Sequence, residues 1–495
     1  MKKILFSLLL IIFNLPSLLA KSIDERINDF VEPATLFVKK IIFFSFKINE
    51  SVKLPFVLIW LLLGAIFCTL YFKFINISGF KTAINIVRGK YTDPNDKGEV
   101  SHFQALTTAL SGTVGLGNIA GVAVAISLGG AGATFWMIVA GILGMSAKFV
   151  ECTLGVKFRR IDAGGTVHGG PMYYLRDAFE GKSDSLQILG KSLAFIFAIA
   201  CVFGSFGGGN MFQVNQAYFQ FSSFIGNEWL SANGWLFGLV MAVLVGIVIL
   251  GGIKSIAKVT DKIVPFMCGI YVFAALIIIF YHFSDIPKAF GAIIMGAFAP
   301  KAIGGGVIGV MILGFRRAAF SNEAGVGSAS IAHAAVKTND PASEGLVALL
   351  EPFIDTVVIC TMTALVLVIT GFDTIKDKEG VELTAAAFSS VYGSFADIIM
   401  TLAVVLFAFS TMISWSYYGL QAWQYIFGYT KVAEIAYKMV FCLFVVIGAS
   451  MNLGTVIDFS DAMIFLMCFP NVLGMYLLAP VVKKELNKYI TKIKG

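Results

Sequence analysis

Two glycine-rich clusters carry the polar groups whose types and spacing could bind a small charged solute. Residues 111–118 read Ser-Gly-Thr-Val-Gly-Leu-Gly-Asn, and residues 320–328 read Phe-Ser-Asn-Glu-Ala-Gly-Val-Gly-Ser. Glycine costs roughly 1 kcal/mol relative to alanine inside a helix, so a helix that runs through either cluster is easily interrupted. An interruption frees main-chain N–H groups, which attract a carboxylate, and carbonyl groups, which attract a cation.

Close helix packing is the alternative explanation for these glycines. The amide of Asn118 gives no packing advantage, and the carboxylate of Glu323 is expensive inside a bilayer. Both residues favour broken helices, because freed main-chain groups are tolerated only where they line a wet cavity or hold a ligand. We expect Arg316 and Arg317, which precede the second cluster, to pair with Glu323 or to gate access from one side.

Two further segments contain polar side chains that could bind the same solute or an accompanying ion. Gln213 follows three consecutive glycines and could bond a solute, with helix–helix contact as the alternative. Thr411 and Trp415 are four residues apart and therefore share a helix face. The hydroxyls of Ser410 and Thr411 suit Na⁺, unless they bond the preceding helical turn, and Trp415 could wall a small pocket or anchor the helix at the interface.

The other ionisable residues give no sign of a catalytic or metal centre. We expect Lys148 and Glu151, at i and i+3, to form an ion pair. Asp355, Asp458 and Asp461 are expected to be solvated at helix ends. The four histidines (His102, His168, His282 and His333) fall near predicted loop edges without metal-ligand spacing, and the seven cysteines form no C-x-x-C pair. We therefore expect no enzyme activity, no transition-metal site and no cofactor.

The composition places these clusters in a membrane protein. Of 495 residues, 58% are hydrophobic and 14% are charged, and the mean hydropathy is +0.84. A soluble chain has about 25% charged residues, so a soluble enzyme, a disordered regulator and a nucleic-acid-binding domain are excluded. We attribute the net charge of +7 to cytoplasmic loops near anionic lipid.

The distribution of charge and hydropathy predicts eleven membrane spans. Residues 1–20 resemble a signal peptide, with a retained first helix as the alternative, and residues 21–54 are an amphipathic lead-in outside the cytoplasm. The loops that this topology places inside carry 22 Lys and Arg, against 4 in the outside loops, as the positive-inside rule requires. The predicted spans are 55–74, 103–127, 134–156, 190–222, 235–252, 262–283, 302–335, 350–371, 395–424, 433–453 and 459–482.

The order of the spans predicts an inverted repeat. The span at 55–74 is peripheral, the five spans within 103–283 start inside, and the five within 302–482 start outside. Five plus five spans of opposite polarity are typical of inverted-repeat transporters, in which broken helices hold the solute. Each glycine cluster lies in the first span of its repeat, and residues 483–495 form a basic cytoplasmic tail.

Three segments resemble the sodium:alanine/glycine symporters of the amino acid–polyamine–organocation superfamily. They are residues 129–137, 169–175 and 320–327, although Thr134 and Ile138 depart from the family pattern. The resemblance covers roughly residues 55–485. It implies an all-α, LeuT-like fold of two inverted five-helix repeats with one additional N-terminal helix.

The resemblance also implies a site for a small amino acid. The amides of Leu116 and Gly117 would hold its carboxylate. Gln213 and the main chain near Asn322 and Gly325 would lie near its amine or side chain.

Phe219, Thr411 and Trp415 would wall the pocket, and bulky walls imply alanine or glycine as substrate. The resemblance places Na⁺ between the first break and residues 407–415 of the ninth predicted span. The implied Na⁺ ligands are the carbonyls of Ser111 and Val114 with the hydroxyls of Ser410 and Thr411, and for a second ion Thr113 and Asn118.

These inferences predict a Na⁺-coupled symporter that imports alanine or glycine by alternating access. We expect a monomer in the bilayer of a bacterial inner membrane, with the N-terminus outside, the C-terminus in the cytoplasm and no nucleic-acid partner. The alternatives are a proton-coupled carrier that uses Glu323, an ion channel and an intramembrane enzyme.

Overall fold

The computed structural model describes residues 23–47, 53–93, 95–298, 306–375 and 377–494. The signal peptide predicted at residues 1–20 lies outside these ranges. The described part is mostly helical and contains two small antiparallel sheets. Strand β1 (Ser45–Lys47) pairs with β2 (Lys53–Pro55), and β3 (Arg160–Ile161) pairs with β4 (Val167–His168).

The helices up to the end of the first predicted repeat begin with an amphipathic helix that contains Pro33. In chain order they are α1 (Ile23–Ile42), α2 (Phe56–Tyr71), α3 (Ile75–Ser78), α4 (Phe80–Val87), α5 (His102–Thr113), α6 (Gly117–Gly129), α7 (Ala133–Lys157), α8 (Pro171–Asp177), α9 (Asp184–Ile225), α10 (Glu228–Ser231), α11 (Gly234–Ile249) and α12 (Gly252–Tyr281).

The remaining helices include the second interruption, between Asn322 and Ala329. They are α13 (Ile286–Phe298), α14 (Gly306–Asn322), α15 (Ala329–His333), α16 (Pro341–Ile369), α17 (Gly380–Tyr392), α18 (Phe395–Phe427), α19 (Lys431–Ala449) and α20 (Leu453–Lys494).

Seven of the described helices are long and apolar enough to cross a membrane, namely α7, α9, α12, α16, α18, α19 and α20. The pair α5 and α6, bent by 50°, meets the same criterion as an eighth span. Helices α2 and α11 are apolar but have only 16 residues each. Each of the eleven predicted segments falls on one of these helices or on the interrupted pair α14 and α15. The chain is therefore a multi-pass membrane protein.

Three segments predicted as loops are partly helical. Residues 284–301 contain α13 and residues 371–394 contain α17, each of 13 residues. Neither is long enough to span a bilayer, so a search for spans overlooks them. The loop predicted at 336–349 is also wrong, because α16 already begins at Pro341, and proline is well tolerated in the first helical turn.

Three of the described helices contain π-helical turns. Residues 117–121 form such a turn at the start of α6, residues 207–211 form one in α9, and residues 353–360 form one in α16. In the turn of α9, a methyl group on Gly209 would lie 2.2 Å from the ring of Trp415. Glycine thus lets α9 and α18 approach more closely than any other residue would allow.

Candidate functional site

The first helix break has its main-chain donors bonded to side chains. Helix α5 ends at Thr113, where the C-cap residue Val114 leaves helical geometry. The Gly115 amide donates to Asn118 Oδ1 (3.0 Å), and the Leu116 amide donates to Gln213 Oε1 of α9 (3.0 Å). The Leu116 amide expected to be free for a carboxylate is therefore occupied by a carboxamide oxygen, which a bound carboxylate would replace.

The second break has a strained main chain. Glu323 adopts a φ of +55°, and Gly325 and Gly327 have φ values of +88° and +91°. A positive φ is uncommon for a residue with a side chain and is found most often where surrounding contacts enforce it. Both helices are thus interrupted at the glycine clusters found in the sequence.

The two breaks meet inside the protein. A methyl group on Gly117 would lie 3.3 Å from the Cα atom of Ser321, at the end of α14. The indole N–H of Trp415 donates to the Gly112 carbonyl (3.3 Å) and to the Glu323 carboxylate (2.9 Å). Trp415 is only 1% exposed, so it joins the two breaks and is not an interfacial anchor.

The predicted hydroxyl ligands lie where α18 contacts the first break. The Ser111 hydroxyl donates to the Ser410 carbonyl (2.6 Å), and the Ser410 hydroxyl donates to the Phe407 carbonyl (3.0 Å). The Thr411 hydroxyl oxygen is buried without a hydrogen-bond partner, and a methyl group on Gly115 would lie 2.4 Å from it. A buried unpaired hydroxyl costs about 1–3 kcal/mol, which a bound cation or solute would offset.

A carboxylate that the sequence analysis missed connects the two breaks. Asp355, in the π-helical turn of α16, is buried and accepts from Asn118 Nδ2 (2.7 Å), Ser321 Oγ (2.9 Å) and Thr356 Oγ1 (2.6 Å). The expectation that Asp355 is solvated at a helix end is wrong, because α16 starts at Pro341, nine residues before the predicted span. An aspartate inside an apolar span is itself a functional signal, and that signal could have identified it.

Two more hydroxyl groups lie at the first break, those of the predicted ligand Thr113 and of Tyr418. The Thr113 hydroxyl donates to the Ala109 carbonyl of its own helix (3.2 Å). The Tyr418 hydroxyl, which the sequence analysis did not single out, is buried without a partner and would lie 2.9 Å from a methyl group on Gly112.

Three predicted substrate residues do not face the first break. Phe219 is 44% exposed and lines a cavity of about 780 Å³ at the end of α9. The Asn322 side-chain amide donates to Thr356 Oγ1 (3.0 Å). The Gly325 amide donates to Glu151 (2.7 Å), and its carbonyl accepts from Asn471 (2.9 Å).

The expected partners of the two arginines are also wrong. Arg316 (2.7 Å) and Arg317 both bond Asp461 of α20, and neither bonds Glu323. Asp461 is completely buried and not solvated, because α20 continues over 42 residues. Asp458 is paired as well, with Lys39 of α1 (2.6 Å).

The expected ion pair within α7 does not form. Lys148 Nζ instead donates to Glu351 of α16 (3.3 Å). Glu151 accepts from the Gly325 amide and from Asn471 (2.8 Å). The Gly325 amide lies in the second break, where it has no helical acceptor, and Glu151 accepts its hydrogen bond. Lys148 can do without Glu151 because Glu351 compensates its charge.

Two of the four histidines, His102 and His333, lie at helix ends as expected but are buried. In the described part of the chain, one group of three side chains could share a metal ion: ligand atoms of Cys152, His333 and Glu351 lie within 4.8 Å of one another. Both ring nitrogens of His333 and both oxygens of Glu351 already bond neighbouring side chains. We therefore assign no metal to this group.

Comparisons with known proteins agree with this architecture. The model of the sodium:alanine symporter family matches residues 39–495. The chain is 41% identical over 446 residues to the sodium/alanine symporter AgcS of Methanococcus maripaludis, covering 89% of this chain and 96% of AgcS. It is 32% identical over 453 residues to the amino-acid carrier protein AlsT of Bacillus subtilis, covering 90% and 93%.

A solved structure is similar in fold. The crystal structure of MhsT in complex with L-phenylalanine superposes with a TM-score of 0.51 at 14% identity, over 79% of this chain and 99% of MhsT. The predicted LeuT-like fold is thus confirmed. The chain belongs to the sodium:alanine symporter family.

Proposed function

We propose that this protein couples the inward movement of Na⁺ to the uptake of alanine or glycine by alternating access at the two helix breaks. Membership in the sodium:alanine symporter family and the LeuT-like fold support Na⁺-coupled amino-acid symport. The choice of alanine or glycine rests on the name of AgcS and on the narrow space at the first break. At 100 mV, each Na⁺ that moves inward supplies about 2.3 kcal/mol, or about a 50-fold gradient of substrate at full coupling.

The observation that carries this proposal is the buried carboxylate of Asp355, which is shared by the two breaks. Its described hydrogen-bond donors, Asn118, Ser321 and Thr356, are all neutral. A buried carboxylate needs a compensating positive charge, and hard cations prefer oxygen ligands. A Na⁺ ion bound beside Asp355 would supply that charge and would hold α6, α14 and α16 together.

A second Na⁺ position is proposed next to the unpaired Thr411 hydroxyl. The carbonyls of Ser111 and Val114 and the hydroxyl of Ser410 would complete this site, as the family resemblance implies. An ion there would join α5 to α18. Because the two ions and the solute would bind around one break, any effect of one on the affinity of another would be reciprocal.

The solute would occupy the space between the first break and α18. Its carboxylate would displace Gln213 Oε1 from the Leu116 amide and approach Gly117. Trp415 would limit the size of its side chain, because the ring is fixed by its bonds to Gly112 and Glu323.

The remaining parts of the proposal concern the setting. We propose a monomer in the bilayer of a bacterial inner membrane, with the N-terminus outside and the C-terminus in the cytoplasm. No nucleic-acid partner and no cofactor are expected, and Arg316 and Arg317 would close the outer side through Asp461.

Uptake of radiolabelled alanine and glycine into proteoliposomes tests the proposal. Uptake should require an inward Na⁺ gradient and should be abolished in Asp355→Asn, which keeps the shape of the side chain but removes its charge. Asp397→Asn is the matched control, because Asp397 lies in the first turn of α18, away from both breaks. Uptake that is unchanged when choline replaces Na⁺ at fixed pH would contradict Na⁺ coupling and favour the proton-coupled alternative that uses Glu323.

A further inference from the structure

Five ionisable side chains outside the two breaks form one continuous hydrogen-bonded chain, called here the acid–base chain. Its members, in order, are His102, Glu344, His333, Glu351 and Lys148. His102 Nδ1 and His333 Nδ1 each lie 2.5 Å from a carboxylate oxygen of Glu344. His333 Nε2 lies 2.5 Å from one oxygen of Glu351, and Lys148 Nζ lies 3.3 Å from the other.

The acid–base chain leads from one end of the helices into the interior. His102 is the first residue of α5 and is 6% exposed, whereas the other four members are fully buried. Lys148 lies nine residues before the end of α7, or about 14 Å along the helix axis. In the proposed orientation, His102 is at the cytoplasmic rim and Lys148 is near the second break.

The geometry around His333 requires one proton more than a neutral imidazole between two carboxylates can supply. A neutral imidazole has a single N–H group, while both ring nitrogens of His333 contact carboxylate oxygens. Either His333 is an imidazolium or one of the two glutamates is protonated. In both cases the three groups share one proton in addition to the single N–H proton of a neutral imidazole.

Charge balance explains why this proton stays while the site is closed. With both glutamates ionised, Lys148 compensates one negative charge and the shared proton compensates the other. Loss of the proton would leave an uncompensated buried charge, which is costly unless water enters. The other titratable or charged groups that face the acid–base chain are Glu151, Cys152, Arg159, Glu323, Tyr418 and Tyr489.

The outer member of the acid–base chain also fastens the free end of a half-helix. Helix α5 is hinged at the first break, and its start is tied to the connection between α15 and α16. The Glu99 amide donates to the Ala335 carbonyl (2.7 Å), and the Lys337 amide donates to the Val100 carbonyl (2.8 Å). Movement of this end of α5 would separate His102 from Glu344 and admit water to His333.

We propose that the acid–base chain is a binding site for one exchangeable proton, which is taken from the cytoplasm and returned to it. The bound proton holds the cytoplasmic end of α5 closed. On opening, the proton passes from His333, directly or through Glu344, to the cytoplasmic water that enters, and it is replaced before the site closes again. The direction of this exchange rests on the proposed function, whereas the existence of the proton site does not.

Nitrogen-15 NMR of the full-length protein in lipid vesicles tests the proton site without any transported solute. The chain has only four histidines, so histidine-selective labelling gives few signals, and His333→Asn identifies those of His333. We expect the signals of His333 to change with a single midpoint as the pH rises from about 5 to about 9. Signals of His333 that do not change over this range would mean a fixed ion pair and would overturn the proposal.

Uptake at fixed external pH and fixed Na⁺ gradient, with the internal pH varied, tests the effect on transport. Internal acidification should slow the initial rate by up to about tenfold per pH unit, the limit for one proton. His333→Asn should remove this dependence. His102→Asn should remove it too, and because His102 lies at the rim, this variant provides the test if His333→Asn does not fold. His168→Asn is the control and should keep it. Unaltered dependence in both His102→Asn and His333→Asn would overturn the proposal, whereas absence of all wild-type uptake would contradict only the proposed symport.

Discussion

The contact between Gly115 and Thr411 provides a sharp test of the proposed binding site. In Gly115→Ala, the new methyl group would lie 2.4 Å from the Thr411 hydroxyl oxygen and 3.0 Å from Gln213 Oε1. Gly115 does not have a positive φ, so an alanine can adopt the main-chain conformation. The effect of the substitution therefore arises from the two side chains that face the break.

The size of the effect follows from these distances. The gap of 2.4 Å is about 1 Å shorter than an ordinary contact between such atoms. Thr411 would have to retreat by that amount, and overpacking of this kind costs about 1–3 kcal/mol. If the Thr411 hydroxyl binds Na⁺ only in its present position, the same energy weakens Na⁺ binding by about 5- to 150-fold.

The assay is alanine uptake into proteoliposomes as a function of external Na⁺ concentration, with thermal stability measured in parallel. Gly121→Ala is the matched control, because Gly121 is in the same break region and a methyl group there would meet nothing within 4 Å. Gly115→Ala should raise the Na⁺ requirement, while Gly121→Ala should resemble the wild type. Equal Na⁺ dependence in the two variants would refute the placement of Na⁺ at Thr411.

Two further substitutions test the second break and its link to α18. Gly325→Ala should lower the melting temperature more than Gly371→Ala: both glycines have positive φ, which costs alanine about 1–2 kcal/mol, but only at Gly325 would the methyl group clash, 2.4 Å from a leucine of α2. Equal losses would mean that close approach is unimportant there. Trp415→Phe should destabilise the protein by about 1–3 kcal/mol, because Glu323 loses a donor, and should reduce uptake. Trp423→Phe removes a buried N–H without a partner and should change little. Similar effects of the two tryptophan substitutions on denaturation and uptake would argue against a role of Trp415 in joining the two breaks.

The fold was largely predictable because the bilayer restricts the possible structures. Spanning segments must satisfy their main-chain groups internally, so apolar stretches of about 20 residues mark helices directly. The two glycine clusters then mark the interruptions, since glycine weakens a helix wherever it is placed. The short helices α13 and α17 were not predicted, because they do not span the bilayer and no length requirement identifies them.

The candidate site was predictable only in part. Helical spacing put Thr411 and Trp415 on one helix face, and the family resemblance implied that they lie with Gln213 near the first break. The positions of Asp355 and Asp461 could not be inferred in the same way, since their burial depends on where α16 begins and how far α20 extends.

The sequence by itself determined that this chain crosses a membrane, that two of its helices are interrupted and which polar residues lie near the first interruption. Only the tertiary structure decided which charges meet. Lys148 bonds Glu351 and not Glu151, Arg317 bonds Asp461, and His333 lies between two glutamates. The physical reason is that a buried charge must find a partner, and in this fold the partners come from helices that are far apart in the chain.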